Sequence, residues 1–415
     1  MKIWIVNPYG ALPSEGWREY RSFMLAKALA ARGHEVTWWI SDFIHRSKTH
    51  RARGDISDPL LPPGIRVVGV HSTPYSRNIS WERIQYEKSY GKEFLCLAVK
   101  EVAPDLIVMG DPALFFGSYI LTFREKARCK MVLDVIDLWP ELFAVALPKW
   151  LRPVSHFIFY PLFLRRRKLV ESCDGVVAVS RDYLNTSLAG QDKKKPNTVV
   201  YWGIDTKSHN TAVVNSILDN ELQAFRARFV LTAVYAGTLG DAYDMNIIIA
   251  AIKQSKAQNL PIGFIVAGDG PRKQSFADMT GPYASHLKFV GALPASDMTT
   301  LYSNSDVGLM TYAVGSTVAM PIKFFDYLVG GLAILNSLDR DVRAVIQEHG
   351  VGLNYHPSDI QDLIHKLKHL AQNPQELSIL KERAKKLVTD YEAPMQYEQY
   401  SIYLEQFTKN REVIR

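Results

Sequence analysis

Cysteine is scarce in this sequence, with only Cys96, Cys129 and Cys173 among 415 residues and no Cys-x-x-Cys pair. An odd, scattered set of this kind excludes a disulfide framework and a thiolate zinc site, and a reducing, cytoplasmic compartment is expected. Long hydrophobic runs are also lacking. The most apolar region, 142–164, is broken by Lys149, Arg152, His156 and the prolines Pro148, Pro153 and Pro161. A spanning helix needs about 20 predominantly apolar residues, so none is expected here. The opening MKIWIV turns polar at Asn7-Pro8, too soon for the apolar core of a signal peptide. There is no short repeat or low-complexity tract, and no G-x-G-x-x-G. Residues 7–18 carry glycines without that spacing, and Ser41 rather than an acid follows the second apolar run. A dinucleotide cofactor is therefore disfavoured at that loop.

What is present points to a globular protein. Hydrophobic residues make up 47% and charged residues 22% of the chain, a balance that excludes disorder, and the length predicts two domains. Lys and Arg number 49 against 42 Asp and Glu, a net charge of +7. That favours an anionic partner without choosing among nucleic acid, lipid and phosphorylated substrate. A nucleic-acid surface calls for aromatic and basic residues interleaved on one sheet face; only the net charge speaks for one, so nucleic acid is not expected.

Strand-like runs alternate with helix-length amphipathic segments, the pattern of an α/β protein with parallel sheets. In the first half, strands are predicted at 2–6, 35–40, 65–70, 105–109, 131–136, 175–180 and 198–202, with a helix at 20–32 ending at Gly33. The alternation restarts with strands at 229–235, 262–267, 287–290, 307–310 and 333–336. From 358 onwards the pattern is helical, interrupted by Pro394 before a last amphipathic run at 397–409. The expected organisation is two doubly wound Rossmann-like domains, 1–205 and 206–395, and a C-terminal helix, 396–415, returning towards the first.

Ligands of such sheets bind beyond the carboxyl ends of the strands, so the residues there are the candidates. Gly237-Thr238-Leu239-Gly240 and Gly268-Asp269-Gly270 are glycine turns whose amides can receive phosphate oxygens. Arg272 and Lys273 follow and can neutralise a diphosphate. Met320-Pro321-Ile322 opens a predicted helix with Pro321 suited to its first position and Gly330 to its end. On it Lys323 and Asp326 stand three apart, either one facing phosphate and the other hydroxyls, or the two paired with each other. In the first half, Asp134, Asp137 and Glu141 surround a strand end and are candidates for acid/base work; the commoner alternative for such acids is that Asp137 caps the next segment and Glu141 is solvated. Arg18, near a helix start, is a candidate for meeting an anion. The run 157–164 ends in Arg165-Arg166-Arg167-Lys168, and 45–53 is a second basic stretch. Together they are candidates for contact with an anionic membrane surface.

Taken jointly, these residues resemble the retaining glycosyltransferases of the GT-B fold, in particular family four and its bacterial enzymes of lipopolysaccharide and capsule synthesis. Arg32–Val36, Asp137–Glu141, Trp202–Asp205, Tyr235–Gly240, Gly268–Pro271, Phe289–Gly291 and Met320–Leu328 fall in that family's order along nearly the whole chain. The resemblance implies two domains facing across a cleft, with the acceptor bound mainly by the first and a nucleotide-sugar by the second. Asp137 then faces the reacting sugar, with Lys323 and Asp326 completing the catalytic set. Gly16 is the small residue on the acceptor side, beside Arg18 and Glu141. Val290 and Gly291 border the base, without a readable code for uracil or guanine; UDP is preferred on family frequency and GDP stays open.

Two departures stand out. The family's acidic motif, two glutamates separated by seven residues, ends at Asp326 but begins at Val318. Its Arg and Lys beside the diphosphate fall on Thr238 and Tyr243, so that Arg272, Lys273 or Lys323 is expected to supply the charge. The implied activity is metal-independent transfer of a sugar to a lipid-linked or growing glycan, with no cofactor beyond the nucleotide-sugar co-substrate. A non-catalytic binding protein of the same fold and a nucleotide-sugar 2-epimerase are the alternatives.

Overall fold

A computed structural model of the protein describes residues 1–15, 21–77, 80–191, 194–206 and 215–407. It divides into two compact units, Met1–Trp202 with Ala393–Arg415, and Gly203–Glu392. The boundaries read from the sequence, 205 and 395, lie a few residues beyond these.

The strands of the first unit are β1 (Lys2–Val6), β2 (Glu35–Ser41), β3 (Phe43–Ile44), β4 (Thr49–His50), β5 (Gly54–Ile56), β6 (Ile65–Val70), β7 (Leu106–Asp111), β8 (Lys130–Val135), β9 (Gly175–Ala178) and β10 (Asn197–Val199). Eight of them form one sheet in the order β10-β9-β8-β7-β1-β2-β6-β5. It is parallel except at its edge, where β5 runs antiparallel to β6. The order reverses between β1 and β7, so the loops after these two strands lie where a doubly wound sheet receives ligands.

Both faces of this sheet are covered, which explains the nearly continuous apolar runs. Ile3 and Ile5 of β1 face a cluster with Phe23 and Leu25 of the helix Arg21–Ala31 and with Tyr397, Tyr400 and Leu404 of the helix Ala393–Glu405. Trp4, between them, points the other way and stacks on Phe123 with ring centroids 5.0 Å apart. Pro394 does not break the last helix. It occupies the first turn, where its missing N–H costs nothing, and the interruption falls instead at the short 3-10 turn Val388–Tyr391.

The stretch 45–53, read from sequence as a basic loop, runs between β3 and β5 and contains β4. Its cations are largely used within the unit. Arg51 Nε lies 3.1 Å from Glu15 and Arg53 Nε 2.9 Å from Asp42, while Lys48 Nζ sits 3.9 Å from the centre of the Tyr75 ring.

In the second unit β11 (Leu231–Ala236), β12 (Ile262–Ala267), β13 (Leu287–Gly291), β14 (Val307–Met310), β15 (Ala333–Asn336) and β16 (Gly352–Asn354) form a wholly parallel sheet in the order β13-β12-β11-β14-β15-β16. Its reversal lies between β11 and β14. Asp244 caps the helix Met245–Ala257 by accepting from the Ile247 amide at 3.1 Å, and the buried side of that helix joins Leu231, Phe264 and Leu309 in the core. The three-residue β16 is too short to stand out in the sequence. Among the described residues, no helix is long and apolar enough to cross a membrane.

Candidate active site

In the second unit the candidates gather at the ends of β11, β12 and β14. The turn after β11 and the turn after β12 press together backbone to backbone: Gly237 N–H donates to Ala267 O at 3.0 Å and Leu239 N–H to Asp269 O at 2.9 Å. Gly268 and Gly270 both hold φ +151, and a Cβ on them would come within 1.9 Å of Gly237 O and 2.5 Å of Leu239 O. These two glycines are thus required by loop packing rather than by a ligand's approach. Gly268 N–H in turn donates to Gly291 O at 2.7 Å, which ties Gly291 and the half-buried Val290 to the same cluster. Gly240 is buried and Thr238 exposed.

The helix Ile322–Val329 is fixed over this cluster by Tyr327. Its hydroxyl accepts from the Ala236 amide and donates to Leu309 O, both at 3.2 Å. Pro321 proves to be the N-cap, with extended backbone, rather than the first helical residue. At the other end Gly330 keeps helical φ and ψ while Gly331, at φ +62, makes the left-handed turn. Met320 and Pro321 are buried, and Ile322 and Asp326 half-buried.

The three cations proposed for a diphosphate differ in what they already hold. Arg272 Nε lies 3.7 Å from Asp241 and its NH2 donates to Asn246 at 3.0 Å. Lys273 Nζ lies 3.5 Å from Asp269. Lys323 Nζ is buried and, among the described residues, has no hydrogen-bond partner. It does not pair with Asp326 through a hydrogen bond, although that carboxylate acts on it electrostatically; burial dominates and pushes the amine down to about 7. A Cβ at Gly237 would come within 3.1 Å of this Nζ, so the cation sits directly under the first glycine of the turn.

In the first unit Asp134 and Asp137 have different fates. Asp134 is buried and accepts twice from Arg21 Nε, both at 2.8 Å, while Arg21 NH1 donates to Val200 O at 2.6 Å. It is a structural ion pair and not an acid/base candidate. Asp137 follows β8 and accepts from the Leu138 amide at 3.0 Å. Loss of hydration raises its carboxyl above the ordinary range. Glu141 is half-buried and paired: Arg166 Nη1 donates to its two oxygens at 2.7 and 2.6 Å. Arg166 is itself buried, 3.9 Å from Asp111 and 2.6 Å from Ser187 Oγ, which removes it from the basic surface expected of 165–168. Gly16 and Arg18 lie outside the described residues.

Sequence reasoning missed two buried acids beside these. Glu87, on the helix Trp81–Ala98, accepts from Tyr9 Oη at 2.7 Å and from the Phe115 amide at 3.2 Å. Desolvation pushes it up to about 7, and Asp111, at the end of β7, up to about 6. Arg83, one turn before Glu87, lays its guanidinium 4.3 Å above Trp139 and 5.0 Å above Tyr9. Asp111 could have been found as an acid ending a buried strand, whereas Glu87 looks like any polar helix residue until the helix packs. Among the described residues, no group of three or more His, Cys, Asp or Glu is placed to hold a metal ion.

Comparison with known proteins decides the class. Residues 19–208 match the family model described as Glycosyltransferase Family 4, and residues 230–387 the one described as Glycosyl transferases group 1. The chain is a glycosyltransferase of the GT-B fold. No curated protein matches it by sequence. Among solved structures, it is similar to sucrose-phosphate synthase from Thermosynechococcus elongatus, with TM-score 0.71 and 14% identity over 99% of this chain and 98% of the other. It is also similar to Anabaena HepE in complex with UDP, with TM-score 0.68 and 14% identity over 98% and 100% of the two chains. WaaG, described as a glycosyltransferase of lipopolysaccharide biosynthesis, gives TM-score 0.64 at 13% identity over 97% and 99%. At these identities the likeness concerns the fold, so the glycosyltransferase's donor and acceptor must be argued from its own residues.

Proposed function

We propose that this glycosyltransferase moves a sugar from a nucleotide-sugar, preferably a UDP-sugar, to a lipid-linked or growing glycan of the cell surface, with retention and without a metal. The observation that carries this reading is the buried ammonium of Lys323 beneath Gly237, without a hydrogen-bond partner among the described residues. The bond from the sugar's anomeric carbon to the diphosphate oxygen breaks, and that carbon bonds to an acceptor oxygen on the same face while the acceptor hydroxyl passes its proton to the departing diphosphate. Charge grows on the departing diphosphate, where a preorganised cation is worth most. The amides of Gly237, Leu239, Gly268 and Gly270, expected from sequence to receive phosphate, already donate within the turns. Asp326, whose carboxylate ends the family's acidic motif, accepts from donor hydroxyls. On the acceptor side Asp137, held partly out of water, serves the reacting sugar. Solved relatives of this fold in complex with UDP and with UDP-glucose support UDP as the first ligand to try.

A contact with an anionic membrane belongs to the same reading, on altered residues. Trp150 and Phe157 are 77% and 79% exposed, and Ile158, Tyr160 and Leu164 follow them on the surface. Arg165, Arg167 and Lys168 are exposed beside them, an apolar and basic combination suited to the cytoplasmic face of a bilayer.

Thermal unfolding with saturating UDP, GDP, ADP, CMP and NAD tests the donor. A ligand at about 100 times its Kd stabilises by about 2.7 kcal/mol, and UDP alone is expected to raise the midpoint. A shift with NAD only, or with none, sinks the reading. For the membrane, anionic vesicles should retain the protein and neutral ones release it, with retention weakened by replacing Arg165, Arg167 and Lys168 with glutamine.

A further inference from the structure

A buried ammonium ordinarily has a carboxylate against it, because taking a lone charge out of water is expensive. Lys323 has aromatic faces instead. Its Nζ lies 4.1 Å from the ring centre of Tyr235, 4.3 Å from that of Tyr243 and 5.4 Å from that of Tyr312. The cage is built by the backbone. Tyr243 and Tyr312 face each other across an isolated antiparallel bridge, with their rings 5.1 Å apart. Tyr235 is held by its own hydroxyl, which donates to Thr238 O at 2.7 Å. Tyr243 is also the position where the family resemblance expects a lysine, so an aromatic ring stands there and the cation reaches the turn from the helix Ile322–Val329 instead.

We propose that Tyr235, Tyr243 and Tyr312 are positioning residues that hold Lys323 Nζ by their ring faces, leaving its N–H groups open for the diphosphate of the donor at Gly237. This deepens the donor reading above and rests on it. A ring face attracts a cation without occupying its hydrogen-bond donors, whereas a carboxylate would claim them and repel the incoming phosphates. The expected consequence is that donor binding and the charge on Lys323 are coupled. The groups facing Nζ are the three phenols, and Asp326 acts on it electrostatically. Burial keeps Tyr235 and Tyr327 above their usual range and hence neutral, and the same burial lowers Lys323. Above neutral pH the empty site therefore binds a proton together with the diphosphate.

Calorimetric titration of the full-length protein with UDP between pH 7 and 9, in buffers of different ionisation heat, tests this. The wild-type Kd is expected to rise by up to about tenfold per pH unit, with proton uptake. Lys323→Arg, charged throughout, should bind UDP with little pH dependence, which separates the lysine from ionisation of UDP itself. Tyr243→Leu should weaken UDP about tenfold and move the pH profile, and Tyr243→Phe, which keeps the ring, should restore both. A wild-type profile that matches Lys323→Arg, or a folded Tyr243→Leu with unchanged affinity and profile, overturns the inference while leaving UDP as donor. Absence of UDP binding to the wild type at every pH overturns the donor reading and this inference with it.

Discussion

Arg21 meets Asp134 with Nε 2.8 Å from each carboxylate oxygen, both side chains buried, and this pair separates two acids that are close in sequence. Asp134→Ala leaves a buried guanidinium uncompensated and should cost about 3–5 kcal/mol of stability. Asp137→Ala should leave the unfolding midpoint within a few degrees of wild type and abolish sugar transfer. Urea denaturation and a transfer assay on the two variants check this; loss of stability in Asp137→Ala with Asp134→Ala unaffected would reverse the assignment.

The glycines of the second unit should divide in the same manner. Gly268→Ala places a Cβ 1.9 Å from a carbonyl oxygen at φ +151, so the turn must move, at a cost of about 1–3 kcal/mol. At Gly240 the nearest atom to an added Cβ is 3.6 Å away, with no unusual φ. Gly240→Ala should therefore keep its stability, and any loss of UDP binding it shows reports on ligand approach. Thermal melts with and without UDP distinguish the two.

Glu87 should be protonated at mildly acidic pH. Its folded value, about 7 through burial, lies above the ordinary carboxylate range, so the native state holds a proton that the unfolded chain releases. Its contribution to stability is complete below the unfolded value and is lost as pH rises through about 7. The infrared band of a protonated carboxyl should persist at pH 6 and fade through pH 7–8, and Glu87→Ala should lose most of it at pH 7, leaving the part that belongs to Asp111, raised to about 6.

Glu405 behaves oppositely. Hydrogen bonds from Arg32 and His34, at 2.7 and 3.0 Å, hold its carboxyl down to about 2. The stability it supplies is present above its unfolded value and is lost as pH falls towards about 2. Glu405→Gln should lower the urea midpoint at pH 6 by a modest amount, since Arg32 is partly exposed, and the difference should shrink by pH 3.5.

The sheets were legible because both of their faces are buried, which leaves long apolar runs such as Ile262–Ala267 and Val307–Met310. β3, β4, β5 and β16 were not, because two or three residues give no period to read. At the site, glycine turns, Lys323 and Asp137 announced themselves by position after strands. Their surroundings did not: that Glu141 is clasped by Arg166, that Asp134 belongs to Arg21, and that Tyr235, Tyr243 and Tyr312 converge on one amine are facts of packing between elements far apart in sequence. Residue type carried the chemistry, and tertiary contact decided which of several like residues is available for it.

The helix Ala393–Glu405 gives the chain a particular order of assembly on the ribosome. Tyr397, Tyr400, Tyr403 and Leu404 fill the core beneath β1, and a Cβ added at Gly175 would strike Tyr403 and Phe407. The unit that begins the chain thus receives these core residues only after the whole of Gly203–Glu392 has been synthesised. Until then its apolar sheet face stays open to water, and to chaperones. A nascent chain stalled before residue 393 should accordingly remain protease-sensitive in 1–202, and a chain extended through residue 407 should be protected.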